Sequence, residues 1–326
     1  MPSVVRWTIV LLLLAGVVVL GLVTDDQRIL TIAIQVFMLS ALASSWNILG
    51  GFAGQISLGH AVFFGLGALV TREMWLGGTS LVLSVTVAVV STALVSAILG
   101  VPLLRFRGIY FAIGTLAVGV AVFLTIGNIR PGISSLPVDA LREYTFTGPY
   151  YFTLAVLVVT VVVSIWLKQS RLGLGMMAVR DDEEAAGATG VGPLQHKLSA
   201  FVISAALAAL AGASFAYFSV SYYPNFPFSV VWTFEAITVV FIGGLGTIAG
   251  PLVGSAFFVI LRDTLPSGIQ ELQVVLFGVL FILVVLLLPG GLVEGGQRLL
   301  AALSRKGPAP PAQQRETAEK EEGKRL

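Results

Sequence analysis

Six polar residues sit inside otherwise apolar stretches of this 326-residue chain: Asn47, Gln55, Ser57, His60, Thr115 and Glu235. A polar or ionisable group at membrane depth is expensive, and it marks a functional or partnered position by default. The chemistry open to these six is narrow. There is no cysteine, which excludes disulfides, thiolate nucleophiles and Cys-ligated zinc or iron–sulfur sites. His60 and His196 are the only histidines, too few for most metal sites. No chain of carboxylates crosses the apolar stretches, so a proton relay has little support. What remains is hydrogen bonding by amide, hydroxyl and neutral imidazole groups, which can hold irregular backbone or line a polar passage. His60 is expected to bond freed backbone carbonyls or to serve the pathway and its gating. Glu235 is either a functional carboxylate or an interfacial, solvated one.

A second group of charges lies between spans, the run Asp181-Asp182-Glu183-Glu184 followed by Ala185-Ala186-Gly187-Ala188-Thr189-Gly190. Acidic residues favour a helix N-terminus through the macrodipole, so a short helix is expected to begin near Asp181. It is too polar to enter lipid. Beside a plain solvated loop, two roles compete for it. A magnesium–diphosphate site of a prenyl-transfer enzyme would want a second acidic cluster, and only one contiguous run occurs. A docking helix for a cytoplasmic partner needs no second cluster.

The elements that position these residues follow from composition. Apolar types make up 56% of the chain and charged types 11%, too little charge to coat a water-soluble protein of this size. A crossing helix needs about 20 mostly apolar residues. Uncharged stretches run over 7–24, 29–71, 74–104, 108–129, 144–167, 198–234, 236–261 and 272–293. The stretch 29–71 must fold back, and Gly50-Gly51-Phe52-Ala53-Gly54 is the place. The stretch 74–104 opens on a Gly77-Gly78-Thr79-Ser80 turn. The region 230–261 is broken at Gly243-Gly244-Leu245-Gly246 into two pieces too short to cross upright. The expected fold is therefore an all-α polytopic membrane protein with about ten transmembrane helices, or eight plus a re-entrant pair. Residues 1–290 form the membrane domain, with an inner loop over 168–197. Residues 291–326 form a tail rich in Pro and mixed charge, expected to be disordered. The first span is too long for a signal-peptide h-region and lacks a small-residue cleavage site, so cleavage is not expected.

Basic residues orient the spans. With the N-terminus inside, Arg6, Arg105, Arg107, Lys168, Arg171, Arg180, Lys197 and the seven basic residues of the tail fall inside, and Arg28, Arg72, Arg130, Arg142 and Arg262 fall outside. Counting 230–261 as two legs puts both termini in the cytoplasm.

Irregular backbone at membrane depth persists only where protein or a water-filled cavity surrounds it. Paired Gly-rich breaks in corresponding halves point to a transporter built from internal repeats. Here the pair is Gly50–His60 and Gly243–Pro251, and plain turns between helices are the alternative. Two stripes of small residues, Ala61/Gly65/Ala68 and Ala205/Ala209/Gly212/Ala216, suit close helix packing.

Four blocks carry a family resemblance: Asn47-Ile48-Leu49-Gly50-Gly51-Phe52-Ala53-Gly54-Gln55-Ile56-Ser57-Leu58-Gly59-His60 with the following Ala61–Gly65; Arg107-Gly108-Ile109-Tyr110-Phe111-Ala112; Arg180–Gly190 with Lys197–Phe201; and Gly243–Pro251. Through them the chain resembles the LivM-type permease subunit of branched-chain amino acid ABC importers, over roughly residues 45–255. The resemblance implies a bacterial inner-membrane permease with no catalytic residues of its own. No G-x-x-x-x-G-K-[ST] sequence occurs, so ATP would be bound and hydrolysed by partner subunits. It also implies a second homologous permease, two ATP-binding cassette subunits and an extracytoplasmic substrate-binding protein. Glu184-Ala185-Ala186-Gly187-Ala188-Thr189-Gly190 fits the E-A-A-x-x-x-G coupling pattern, without the family's downstream I-x-L-P. Asp182, Glu183, Glu184, Ala185, Ala186 and Gly190 are thus the expected ATPase-coupling residues. Asn47, Gln55, Ser57, His60, Gly243 and Gly244 are the translocation-path candidates. Permeases for urea or short-chain amides share these motifs, and a secondary carrier or channel is the alternative from another class. Lipid is an expected partner and nucleic acid is not.

Overall fold

Asp26 opens the first long helix. Its carboxylate accepts Arg28 N at 2.8 Å, satisfying one of the free donors of the first turn of α1, Gln27–Asn47. The computed structural model describes residues 15–24, 26–138, 141, 144–264, 278, 279, 282 and 290–296. The helices that follow are α2 (Ala61–Leu76), α3 (Leu81–Leu103), α4 (Ile109–Ile129), α5 (Thr147–Gln169), α6 (Arg171–Asp181), α7 (Glu183–Ala188), α8 (Pro193–Phe218), α9 (Val230–Gly243) and α10 (Ala249–Thr264). A further helical stretch at 15–23 precedes α1, and residues 291–296 are helical. Most of the expected spans 7–24 and 272–293, and the tail beyond 296, lie outside the described residues.

Five described helices, α1 with its extension to Phe52, α3, α4, α5 and α8, are long and apolar enough to cross a membrane. The chain is a multi-pass, all-helical membrane protein, as its composition requires. Both Gly-rich breaks interrupt helices. After α1 the chain makes a single π-turn over Ile48–Phe52, then runs without helix to Ala61. Residues 230–264 form two short legs, α9 and α10, as the uncharged length predicts. The expected inner loop 168–197 is instead helical for most of its length. Ser170 caps α6 through Gly173 N at 3.1 Å, Asp182 caps α7, and Pro193 starts α8 in its first turn, where a missing N–H costs nothing.

The small-residue stripe of α8 packs on α2 through Ala68 and its neighbour Gly67, whereas Gly65 of the expected α2 stripe faces the Phe228 ring instead. A Cβ at Gly67 on α2 would collide with the Ala209 backbone of α8, and one at Gly212 would collide with the Phe64 carbonyl. Small residues let these two backbones meet directly, the usual way helices associate where lipid removes a hydrophobic driving force. Around this seam Phe63, Phe64, Phe111 and Phe201 are buried, with Phe63 and Phe201 edge-on at 5.2 Å.

At the end of the bundle away from α6 and α7, residues Ser134–Ser135 pair antiparallel with Ser221–Tyr222. Arg72, counted from sequence only as a flanking charge, lies buried beneath this ladder. Its guanidinium donates to the carbonyls of Ala216, Ser219, Val220 and Ser134 at 2.8–3.1 Å and to Ser134 Oγ at 3.2 Å. Nothing in the spacing around Arg72 marks it, because its acceptors are backbone carbonyls distant in sequence. Burial pushes the phenol of Tyr222, whose ring lies 5.4 Å from the Arg72 guanidinium carbon, above its ordinary range. The described basic residues sort by end: Arg28, Arg72, Arg130 and Arg262 at this end, Arg107, Arg180 and Lys197 at the other.

Candidate functional site: a junction of two helix breaks and the helix before the acidic run

The two breaks are joined by one side chain. Asn47, the last residue of α1, donates through Nδ2 to Thr247 O at 2.9 Å and accepts from Gly246 N at 2.8 Å. An amide is suited to this because it carries a donor and an acceptor on one planar group. The approach is close enough to require glycine on both sides. A Cβ at Gly51 would stand 2.8 Å from Gly246 N, and Gly246 adopts φ +72, a left-handed conformation that side chains with a Cβ rarely take. Thr247 completes the second break: its hydroxyl donates to Gly244 O at 2.8 Å and accepts from Gly250 N at 2.9 Å.

Backbone groups left free by the first break are met by side chains from several helices, as lipid demands. Trp46 Nε1 donates to Ser57 O at 2.8 Å, Leu58 N donates to Thr115 Oγ1 at 3.0 Å, and Ala61 N donates to Thr233 Oγ1 at 2.8 Å. Of the two roles open to His60 from the sequence, bonding freed carbonyls is not the one its contacts show. Its Nε2 instead lies 3.0 Å from Ser45 Oγ, its Nδ1 is buried without a partner among the described residues, and Trp46, Thr115 and Thr233 serve the backbone.

The α6–α7 segment reaches this junction directly. Arg180, near the C-terminus of α6, donates through Nη1 to Gly51 O at 2.7 Å. Its Nε and Nη2 bond Asp181 at 3.0 and 2.9 Å. The four acidic residues therefore differ in use. Asp181 holds Arg180. Asp182 caps α7, its Oδ1 accepting Glu184 N at 2.9 Å and Ala185 N at 3.0 Å. Glu183 accepts from Lys197 Nζ at 2.6 Å, with the lysine side chain only 4% exposed, tying α7 to α8. Glu184 is 89% exposed and lies 4.0 Å from Arg107, itself 71% exposed, a pairing that water screens to almost nothing.

The glycine of the coupling pattern has a local cause. Val191 N bonds Ala186 O and Gly190 N bonds Gly187 O, at 3.0 and 3.1 Å, with Gly190 at φ +88. This double closure of a helix end needs a left-handed residue after the cap. Of the six expected coupling residues, Asp182, Glu183, Ala186 and Gly190 build and anchor α7, while Glu184 and Ala185, with Gly187 and Ala188, form its exposed face.

The path candidates divide into three places. Asn47, Gly243 and Gly244 belong to the buried junction. Ser57 and Thr115 border a small gap against Phe201, and His60 is buried nearby on Ser45. Gln55 lines a separate cavity of about 370 Å³ with Gly54, Ile56, Gly108, Ile109 and Ala112. Glu235 stands apart near the opposite end. Its side chain is 18% exposed and pairs with Arg262 at 3.3 Å. No cluster of His, Cys, Asp or Glu able to hold a metal occurs among the described residues.

Residues 28–285 match the family model described as "Branched-chain amino acid transport system / permease component". The chain is 29% identical to the "High-affinity branched-chain amino acid transport system permease protein LivM" of Salmonella typhimurium and to the protein of that name from Escherichia coli. Each alignment covers 76% of this chain and 65% of the relative, so the chain spans about two thirds of the length of these curated relatives. It is 26% identical to the "Probable branched-chain amino acid transport permease protein LivM" of Methanocaldococcus jannaschii, over 69% of this chain and 71% of that one. No solved structure matches. With the broken-helix blocks lying inside a family match that covers most of the chain, this protein belongs to the branched-chain amino acid transport system permease component family.

Proposed function

We propose that the chain is the inner-membrane permease subunit of an ATP-driven importer for branched-chain amino acids. The importer is completed by a second homologous permease, two ATP-binding cassette subunits and an extracytoplasmic binding protein. The observation that carries this reading is the Arg180–Gly51 hydrogen bond, which ties α6, the helix just before the exposed face of α7, to the first broken membrane helix. ATP binding closes the ATPase pair beneath Glu184, Ala185 and Ala188 and displaces α7. The displacement passes to α8 through the Glu183–Lys197 ion pair and to both breaks through Arg180, Gly51 and Asn47. A passage beside the breaks then opens to each side in turn. The end bearing α6 and α7 faces the cytoplasm, as do both termini, and ATP binds only to the partners. Relatives named for branched-chain amino acid transport and the family match support the substrate class.

The test is ATP-dependent uptake of labelled leucine by the source cells with and without this chain, using isoleucine, valine and urea as competitors. Loss of an uptake that isoleucine and valine compete for, and urea does not, is the expected result. Surviving leucine uptake with failed urea accumulation would move the substrate to urea or short amides and keep the mechanism. Uptake by this chain alone in liposomes would overturn the ATP-driven reading.

A further inference from the structure

A cavity of about 310 Å³ opens between α1, the end of α8 and the α9–α10 pair, at the end of the bundle away from α6 and α7. Met38, Phe215 and Trp232 give it apolar walls, and Gln35, Glu235 and Arg262 place charge and polarity on it. Arg262 donates through Nη1 to Glu235 Oε1 at 3.3 Å and through Nη2 to Gln35 Oε1 at 2.9 Å. Glu235 Oε2 is buried and has no hydrogen-bond partner among the described residues. A buried carboxylate oxygen left unmatched is costly, and native structures rarely keep one without a reason. The Glu235–Arg262 pair is not needed to close a backbone break or a helix end. It presents one fixed negative and one fixed positive group beside an aromatic wall, within the size range of small-molecule sites.

We propose that this cavity is a transit site for a zwitterionic amino acid with an apolar side chain, the Arg262 guanidinium taking its carboxylate and the Glu235 carboxylate its ammonium group. A zwitterion matches both charges at once, and the apolar walls take the side chain. A neutral amide or a monoanion satisfies only part of the site. Glu235 and the Gly243–Gly244 break are carried by the same helix, about 12 Å apart at 1.5 Å per residue, so the site shares α9 with the junction that Asn47 holds. The inference rests on the reading of the chain as an amino-acid permease and adds where its substrate is held.

The test uses the full importer in liposomes. Because the chain has no cysteine, Phe226→Cys on the cavity wall, or Val231→Cys if that variant does not transport, gives a single thiol. Leucine at ten times its dissociation constant should slow thiol modification about tenfold. The 2-oxo acid and the primary amine that each lack one charged group of leucine should not. Glu235→Gln and Arg262→Gln should each raise the KM for leucine about tenfold or more. An unmodified importer that does not take up leucine sinks the permease reading itself. Leucine uptake with a labelling rate indifferent to leucine keeps that reading and overturns the site, even if the charge variants fail to fold. Equal protection by either single-charge analogue overturns the zwitterion assignment.

Discussion

Arg180 Nη1 lies 2.7 Å from Gly51 O, so α6 is hydrogen-bonded to the first broken membrane helix. Gly51 in turn sits against Gly246, which Asn47 holds. Three segments far apart in sequence thus share one junction. A shift of α6 cannot leave either break unmoved without giving up a charge-assisted hydrogen bond, a loss of about 1.5–3 kcal/mol.

Arg180→Ala should separate ATP hydrolysis from transport. Without the guanidinium, the exposed face of α7 that carries Glu184 and Ala185 is intact, but α6 no longer holds Gly51. Hydrolysis by the reconstituted importer should persist while leucine uptake per ATP falls about tenfold. An unchanged ratio of uptake to hydrolysis would show that the link is not the route.

Asn47→Ala should destabilise the fold itself. It leaves Gly246 N and Thr247 O without their partner, at about 1–3 kcal/mol for each group left unsatisfied. The thermal midpoint of the detergent-purified protein should drop, and Gln55→Ala, whose amide bonds only Ala53 O at 3.3 Å, should barely shift it.

The Glu183–Lys197 pair predicts an asymmetry. Lys197 is 4% exposed and Glu183 29%, so removing the carboxylate strands a buried ammonium, whereas removing the ammonium leaves a carboxylate that water can reach. Glu183→Gln should cost about 3–5 kcal/mol and Lys197→Met less. The double variant should recover part of the loss. Equal costs for the two single variants, measured by unfolding in detergent, would refute the asymmetry.

Gly67→Leu or Gly212→Leu should force α2 from α8, with a cost of at least about 1–3 kcal/mol from overpacking and lowered recovery of folded protein. Gly114→Ala on α4 is the control. Its added Cβ would meet Leu103 at 3.4 Å, an ordinary contact, and yield should be unchanged.

Sidedness can be read with introduced thiols. Thr79→Cys, in the turn between α2 and α3, should react with a membrane-impermeant reagent on intact cells. Ala188→Cys, exposed on α7, should react only once the membrane is opened. The reverse pattern would invert the orientation and place the cavity beside Glu235 on the cytoplasmic side.

Much of this molecule is decided by one-dimensional facts. Stretches of uncharged residues long enough to cross lipid set the helices, because unpaired backbone is intolerable there and only helices satisfy it within one segment. Gly50-Gly51 and Gly243-Gly244 mark the breaks, the acidic run marks α7, and the small-residue stripe of α8 marks its seam with α2, since each depends on neighbours within a few turns. Tertiary structure alone decided what those pieces meet. Asn47 clamps Gly246 across 199 residues, Arg180 reaches Gly51 across 129, and Arg72 gathers carbonyls from segments 62 to 148 residues away. Their acceptors are mostly backbone groups, which every residue carries alike, so no residue type announces the partnership. Glu235 and Arg262 could be seen in the sequence as one polar residue within a span and one flanking charge. Only the folding of α9 against α10 turns them into a pair with one carboxylate oxygen still unmatched.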